Sequence, residues 1–245
     1  MSGSVTSLWR HPIKSHGRES LEEVTVIPGQ TMPGDRVWAV AHEASKADGS
    51  KWVPCANFSR GSKAPKLAAI SARLDRDTLT LNHPERPQLS FDPETQQGVF
   101  LEWVKPLMPA DRAASARIIR VPGRGMTDSD FPSISLSNMA SHRAVEEKLT
   151  QSLSIGRWRN NVWFDGLPAW GEFDWLGREI QIGEAVFGIR ERITRCLATT
   201  ANPETGERDA DTLGALNSWD HQDFGVYAEV IRGGALRVGD GVKLL

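Results

Sequence analysis

The sequence predicts a mainly β protein with a few helices, of the α+β class, and three observations lead to this prediction. Short runs rich in β-branched, aliphatic and aromatic residues recur along all 245 residues. Gly and Pro separate these runs at intervals typical of barrels and mixed sheets. Long amphipathic stretches are few, and no repeat with a fixed period is found. A chain of this length can bury an ordinary hydrophobic core, so folding needs neither a disulfide nor a metal ion.

Twelve runs have the composition and spacing expected of strands. In chain order they span residues 5–9, 23–27, 36–42, 67–74, 78–81, 117–121, 161–165, 179–182, 185–190, 195–200, 224–231 and 235–238. Two helices are predicted. One begins near Ser137, a suitable N-cap, and continues to residue 149, and a shorter one covers residues 99–107.

A turn-rich, polar stretch divides the chain. Pro122, Gly123 and Gly125 precede the polar residues 127–130, and such clusters mark loops between structured segments. We therefore predict an N-terminal half at residues 1–120 and a C-terminal half at residues 121–245.

The composition excludes several classes of partner. The formal net charge of −2 gives no basic field for nucleic acid. The first residues lack the apolar core of a secretory signal, and no segment approaches the ~20 apolar residues that cross a bilayer. We expect no nucleic-acid partner, no membrane insertion and a cytoplasmic location.

Cys196 is the more informative of the two cysteines. Neither it nor Cys55 has the spacing of a zinc site or a disulfide framework. Cys196 follows Arg195 in a strand-like run and precedes a turn at residues 202–206. Positive charge from Arg192 and Arg195 would favour the thiolate, the form that ligates a soft metal or carries sulfur. A plain hairpin with a buried cysteine is the alternative.

A second cluster of polar side chains lies in the segment RWRNNVWFDG, residues 157–166. Alternation along a strand would put Arg157, Arg159 and Asn161 on one face. A guanidinium there could hold an anion through two hydrogen bonds. A strand edge protected by charge is the alternative.

Two cations and a hydroxyl near the N-terminus form a third candidate group. Lys14 and Ser15 follow the first predicted strand, and Arg36 begins another. Lys supplies a point charge and Arg a planar fork, so the two can converge on a phosphate. Each residue alone could instead be a solvated surface charge.

These blocks resemble the MOSC domain, named for the C-terminal domain of molybdenum cofactor sulfurases, preceded by the N-terminal β-barrel domain of the amidoxime-reducing enzymes. The C-terminal blocks that carry the resemblance are Arg195-Cys196, Thr199-Thr200, Pro203, Thr205-Gly206, Phe224-Gly225-Val226-Tyr227, Gly233-Gly234 and Val238-Gly239-Asp240. The resemblance implies a MOSC-type β-barrel, similar to the pyruvate-kinase β-barrel, with an N-terminal β-barrel subdomain.

The resemblance also implies roles for individual residues. Cys196 would be the molybdenum ligand and the catalytic residue. The residues implied to bind the molybdenum cofactor, molybdopterin, are Lys14, Ser15 and Arg36 at its phosphate, Asp128, Ser129 and Asp130 in the loop 127–138, and Arg159, Asn161, Arg195 and Thr199. Asn160 stands where such proteins usually have Pro.

The activity implied is reduction of N-hydroxylated compounds, such as amidoximes, hydroxylamines and N-hydroxylated bases. The family is also described as binding pyridoxal phosphate. Neither an iron–sulfur cysteine cluster nor a dinucleotide fingerprint is present, so electrons would come from a separate protein. Two alternatives stay open: a carrier of sulfur or cofactor that uses Cys196 without turnover, and a β-barrel binding module without metal.

Overall fold

The computed structural model describes residues 2–245, with the side chain of residue 2 left out of the description. Its strands are β1 (Ser2–Arg10), β2 (Glu19–Leu21), β3 (Glu23–Val26), β4 (Trp38–His42), β5 (Ser71–Asp75), β6 (Thr78–His83), β7 (Arg86–Phe91), β8 (Ser115–Arg120), β9 (Ile134–Asn138), β10 (Val162–Asp165), β11 (Glu179–Ile182), β12 (Ala185–Thr194), β13 (Asp223–Arg232), β14 (Gly234–Arg237) and β15 (Gly241–Leu244). The α-helices are α1 (Gln97–Val104), α2 (Met139–Leu149) and α3 (Thr212–Asn217). The predicted class, mainly β with a few helices, is confirmed. None of the helices in the described residues is long and apolar enough to cross a bilayer.

Seven strands close into a barrel in the order β10-β9-β13-β12-β11-β15-β1, and β1 pairs back onto β10. The closing pair is antiparallel, with Val5 opposite Phe164 and Leu8 opposite Val162. Only the β9–β10 pair within the barrel is parallel. Closure leaves these seven strands without a free edge, which is the usual way that β-proteins avoid edge-to-edge association.

The barrel interior is filled by alternate side chains from its strands. Leu136, Phe164, Ile180 and Phe187 are each 0 % exposed and belong to one apolar cluster. Alternation is the reason, since successive residues of a strand point to opposite faces. Full burial of each such side chain contributes roughly 1.5–3 kcal/mol to folding.

Besides β3, which pairs with β14, the N-terminal half carries two smaller sheets of its own. Strands β4 and β8 pair with each other, and β5, β6 and β7 form a meander. Helix α1 packs against this half through Phe100 and Trp103, which join the cluster that surrounds Leu67 and Leu81. These elements fold around a core of their own beside the barrel.

Strand β1 does not follow the predicted division of the chain. It lies in the N-terminal half of the sequence, yet it is hydrogen-bonded to β10 and β15 of the barrel. The predicted boundary between two halves, at residues 120 and 121, stays a prediction. The segment after β1 therefore leads from the barrel directly into the N-terminal half, and the candidate site lies along this path.

Several predicted elements need correction. The predicted strand at 195–200 is wrong, because β12 ends at Thr194 and a 3-10 helix covers Leu197–Thr200. The run 67–74 divides into a 3-10 helix at Pro65–Ala69 and β5. Helix α2 begins one residue later than predicted, since Asn138 is the N-cap and its side chain accepts a hydrogen bond from the amide of Ala140.

The structure also contains elements that the sequence patterns did not predict. They are β2, β7, β9, β15 and α3. Most of them are short, and short segments carry too few residues for a periodic pattern to be recognised.

Candidate functional site

Cationic side chains from both halves of the chain meet beside one end of the barrel. They are Lys14, Arg36, Arg159 and Arg195, and Asp128 interacts electrostatically with each of them. The carboxylate of Asp128 is 53 % exposed. This carboxylate is therefore open to solvent, and we call the region formed by Asp128 and the four cations the cationic cleft.

Lys14 is held inside this cluster. Its ammonium group donates to the carbonyl of Met126 at 2.7 Å and to Asp128 Oδ1 at 2.6 Å. The side chain is 5 % exposed, and its amide donates to the carbonyl of Trp38. The lysine therefore joins the segment after β1 to the loop that precedes β9.

Arg36 is positioned by backbone and side-chain contacts together. Its amide donates to the carbonyl of His11, and its carbonyl accepts from the amide of Met126, each at 2.7 Å. Its guanidinium pairs with Asp35 and donates to the carbonyl of Arg159 at 2.8 Å. Burial, the largest single effect, would lower the pKa of Arg36, but the carboxylates of Asp35 and Asp128 together with Tyr227 outweigh burial and raise this pKa.

A buried pair supports Asp35 from behind. His11 Nδ1 lies 3.1 Å from Asp35 Oδ1, and the amide of His11 donates to the same oxygen at 2.7 Å. Burial, followed by the charge of Arg159, lowers the pKa of His11 to about 3. His11 is therefore neutral at ordinary pH, so Nδ1 donates to the carboxylate and leaves Asp35 free to compensate Arg36.

Arg159 has the least compensated charge of the cluster. Its guanidinium donates to the carbonyl of Gly17 at 3.0 Å, and this is its one hydrogen bond among residues 2–245. Burial, followed by repulsion from Arg36, lowers the pKa of Arg159 to about 9. An anion beside Arg159 would relieve this repulsion and occupy the remaining donors.

Arg195 has the opposite environment, because acceptors surround its guanidinium. It donates from Nη1 to the carbonyl of Trp158, from Nη2 to Asn160 Oδ1 and from Nε to the carbonyl of Phe224, each at 2.9 Å. Burial lowers the pKa of Arg195 to about 10. Arg195 thus supplies a fixed positive charge, and its own hydrogen bonds hold the end of β12 against neighbouring segments.

Cys196 follows Arg195 directly and is exposed. It precedes the 3-10 helix Leu197–Thr200, and its carbonyl accepts hydrogen bonds from the amide and the hydroxyl of Thr199, each at 3.1 Å. The thiol interacts electrostatically with Arg195. Among the described residues, no group of three or more His, Cys, Asp or Glu side chains could hold a metal ion. A metal at this thiol would need ligands from another molecule.

Two residues of the cluster and the neighbour of a third have unusual backbone conformations. Ser15, Arg36 and Arg159 have φ values of 66°, 51° and 54°. Non-glycine residues in the left-handed region cost of order 1–3 kcal/mol each, and such strain collects at functional sites. The strained residues coincide with three residues proposed from the sequence to contact the cofactor.

The predicted face of Arg157, Arg159 and Asn161 is wrong, because these residues do not form a strand. A 3-10 helix covers Ile155–Trp158, Arg159 is left-handed, and β10 begins at Val162. Arg157 turns away to the carbonyl of Thr199 at 3.0 Å. The three side chains therefore diverge, and only Arg159 enters the cluster.

Other predicted cofactor residues make local contacts. Asn161 Oδ1 accepts from the amide and hydroxyl of Ser135, and Ser129 Oγ donates to Ser133 Oγ at 2.6 Å. The hydroxyl of Thr199 also lies 2.7 Å from that of Thr212. Asp130 is exposed, and its carbonyl accepts from Arg124. Cofactor contacts by these four residues, by Ser15 and by the members of the cluster all stay predictions.

Sequence reasoning missed three residues that shape the site: Asp35, Asn160 and Tyr227. Asp35 compensates Arg36, and Asn160 links Arg195 to Ser137 on β9. Tyr227 interacts electrostatically with Asp128, Arg195 and Arg36. Tyr227 lies in a motif that was recognised, FGVY, but only its orientation identifies it as a site residue.

Two family models match successive parts of the chain. Residues 2–107 match the model of the MOSC N-terminal beta barrel domain, and residues 126–243 match that of the MOSC domain. Together the two matches cover about nine-tenths of the chain.

Curated relatives match over nearly the whole chain at low identity. Mitochondrial amidoxime-reducing component 1 of Mus musculus is 25% identical, with 99% of this chain and 82% of that protein covered. The protein of the same name from Homo sapiens is 22% identical, with 99% and 83% covered. The solved structure of the YUAD protein from Bacillus subtilis shares the fold, with a TM-score of 0.52, 13% identity, and coverage of 100% of this chain and 96% of that one. The chain belongs to the MOSC family, as a protein in which the N-terminal β-barrel domain of that family precedes the MOSC domain.

Proposed function

We propose that the protein is a molybdenum-cofactor-dependent oxidoreductase that reduces N-hydroxylated compounds, with Cys196 as the molybdenum ligand. The observation that carries the proposal is the guanidinium of Arg159, the least compensated of the four cations of the cleft, with an exposed thiol next in sequence to another of them. This arrangement suits a ligand that has an anionic group at one end and a soft metal at the other.

The cations fit the phosphate end of such a cofactor. Lys14, Arg36, Arg159 and Arg195 carry four positive charges, and Asp35 and Asp128 carry two negative ones. The excess favours an anion in the cleft, and the fork of Arg159 can bind phosphate oxygens in pairs.

The thiol fits the metal end. Thiolate is a soft ligand of the kind that molybdenum accepts beside a pterin dithiolene. The hydrogen bonds of Thr199 to the carbonyl of Cys196 fix the turn that presents the sulfur. When bound, the cofactor would supply two-electron oxygen-atom chemistry, while the protein binds, orients and electrostatically supports it.

Pyridoxal phosphate is not part of this proposal. Covalent attachment of that cofactor needs a lysine whose amine is free to form a Schiff base. Lys14, the lysine of the cluster, is held by the carbonyl of Met126 and by Asp128.

Electrons would come from a separate protein in this proposal, and the location would be cytoplasmic. The support for the substrate class is that the curated relatives are named amidoxime-reducing components. Their names also say mitochondrial, which is a property of those proteins.

The test is reduction of an aromatic amidoxime by the full chain, produced in a host that makes the molybdenum cofactor, with reduced methyl viologen as electron donor. We expect amidine to form with the wild type and no measurable rate with Cys196→Ser. Cys55→Ser is the matched control, because Cys55 is a half-buried thiol whose sulfur accepts from Arg60 at 3.6 Å. Equal rates for wild type and Cys196→Ser would refute the assignment.

A carrier of sulfur or cofactor is the second candidate, and the exposure of Cys196 favours it. A carrier would contain cofactor and transfer it, or a sulfur atom, to an acceptor enzyme without reducing the amidoxime. A metal-free protein from the same host would favour the third candidate, a binding module.

A further inference from the structure

A cavity of about 220 Å³ lies in the N-terminal half, between the end of β4 and the segments 56–63 and 108–113. Its apolar wall includes Phe58, Met108 and Ala113. Phe58 is 2 % exposed, and its pairing with Ala41 of β4 fixes this wall. Drug-sized ligands usually occupy ~300–1,000 Å³, so this cavity suits a smaller group, such as one ring with a substituent.

Cationic side chains line the same cavity: Arg60, Lys63 and Arg112. Asp111 Oδ2 lies 3.7 Å from Arg112 Nε and compensates that residue. Within residues 2–245, Arg60 and Lys63 make no ion pair. The hydrogen bond of the Arg60 guanidinium goes to Cys55 Sγ at 3.6 Å, and sulfur is a weak acceptor. The cavity therefore combines an apolar wall with two cations that can bind an anionic group.

The segment 60–63 also contacts the turn that presents Cys196. A Cβ at Gly61 would lie 3.7 Å from the Cβ of Ala198. Ala198 is two residues from Cys196, and two residues span at most ~7 Å. The segment that carries the two cations therefore lies beside the turn of the exposed thiol.

Arg208 holds this contact in place. Its Nη2 donates to the carbonyl of Ser62 at 2.9 Å, and its Nη1 donates to the carbonyl of Leu197. One guanidinium thus joins the segment that lines the cavity to the residue after Cys196. A molecule of moderate length could occupy the cavity with one end and approach the thiol with the other.

We propose that the cavity binds a carboxylate group of the substrate through Arg60 and Lys63, so that the protein prefers N-hydroxylated compounds that carry a carboxylate. The proposal rests on the proposed function, because it takes amidoxime reduction at Cys196 as the activity. The fork of Arg60 can hold both carboxylate oxygens, and Lys63 adds a point charge. The apolar wall would hold the ring to which the carboxylate is attached.

A pair of substrates tests this preference. The full chain, produced in a host that makes the molybdenum cofactor, is given benzamidoxime or 4-carboxybenzamidoxime, and reduced methyl viologen supplies the two electrons. We expect kcat/KM to be about tenfold higher for the carboxylated compound, as is typical for hydrogen bonds to a charged group. Arg60→Gln should abolish most of this preference. Lys243→Gln is the control, because it changes an exposed lysine on β15, and it should keep the wild-type preference.

Binding without turnover gives a second readout. Benzoate has the ring and the carboxylate but no N-hydroxyl group, so calorimetry measures its affinity apart from reduction. We expect Arg60→Gln to bind benzoate roughly ten- to a hundredfold more weakly than the wild type. Ala113→Leu keeps every charge and fills part of the cavity, and it should also weaken binding. Thermal unfolding of each variant checks that it is folded.

The outcomes separate this inference from the proposed function. If both amidoximes are reduced with equal kcat/KM, or if Arg60→Gln keeps the wild-type preference, the role of the cavity is overturned and the proposed function stands. Benzoate affinities that neither Arg60→Gln nor Ala113→Leu changes would overturn the role of the cavity as well. If the protein contains the cofactor and reduces neither amidoxime, the proposed function is overturned and the substrate preference with it.

Discussion

The buried Glu172 should make the stability of the protein depend on pH. Relative to the wild type, the variant Glu172→Gln should have a higher free energy of unfolding at alkaline pH than at acidic pH. Glu172 lies in the 3-10 helix Gly171–Trp175 and is 0 % exposed. Ser141 Oγ lies 2.9 Å from each of its carboxylate oxygens, and Asn138 Nδ2 lies 3.3 Å from Oε2. Burial outweighs these hydrogen bonds and raises the pKa of Glu172 to about 7.

The direction of this pH dependence is set by which state, folded or unfolded, binds the proton of Glu172 more tightly. The folded state binds this proton better than the unfolded chain, whose glutamate titrates near 4.5. The stabilisation is complete at pH values below 4.5 and is lost as the pH rises through 7. A difference of about 2.5 pKa units corresponds to ~3 kcal/mol in total, of which ~2.5 kcal/mol falls between pH 5 and pH 8.

The assay is urea unfolding followed by tryptophan fluorescence at pH 5 and pH 8, for wild type and Glu172→Gln. Other titrating groups contribute equally to both proteins and cancel in the difference between them. We expect the free energy of unfolding of the variant, relative to that of the wild type, to rise by ~2.5 kcal/mol from pH 5 to pH 8. A constant difference between the two proteins would refute the reasoning, because Glu172 would then have the same pKa in both states.

Three further outcomes are expected. Burial and the charge of Arg159 lower the pKa of His16 to about 4. The free energy of unfolding of the wild type, measured with urea, should therefore fall by ~2 kcal/mol from pH 7 to pH 5 because of this group, and His16→Gln should not show that loss. Asn160→Leu removes an acceptor from buried Arg195 and should cost ~1–3 kcal/mol in the free energy of unfolding, whereas Asn160→Asp keeps the acceptor and should cost less. Phe224→Ala removes the ring stacked 3.8 Å from Trp158 and should cost ~3–5 kcal/mol. Unchanged unfolding curves would contradict each of these.

Much of the fold could be predicted because local patterns determine it. The strand and helix positions follow from alternation, capping and turn residues, as with the helix capped beside Ser137. The resemblance implied a β-barrel, but the pairing that closes it could not be predicted from local patterns, because β1 pairs with β10 and β15 from the other end of the chain. No local pattern specifies partners so far apart in sequence.

The candidate site was predicted in part for the same reason. Charge and thiol chemistry identified Lys14, Arg36, Arg159 and Cys196 without knowledge of their orientation. The left-handed conformation of Arg159 breaks the alternation that was assumed for residues 157–161, so the predicted face was wrong. The position of Tyr227 beside the cluster depends on which face of β13 turns towards the barrel core, and the sequence leaves this undetermined.

The most direct test of the central claim is the molybdenum and pterin content of the full chain, purified from a host that makes the cofactor. We expect about equimolar metal and pterin in the wild type and in Arg143→Ala, whose guanidinium pairs with Asp165 on the exposed surface. Arg159→Asn should lose most of both, because it removes the least compensated cation of the cleft. A wild-type protein without molybdenum, or an Arg159→Asn variant with wild-type content, would contradict the account.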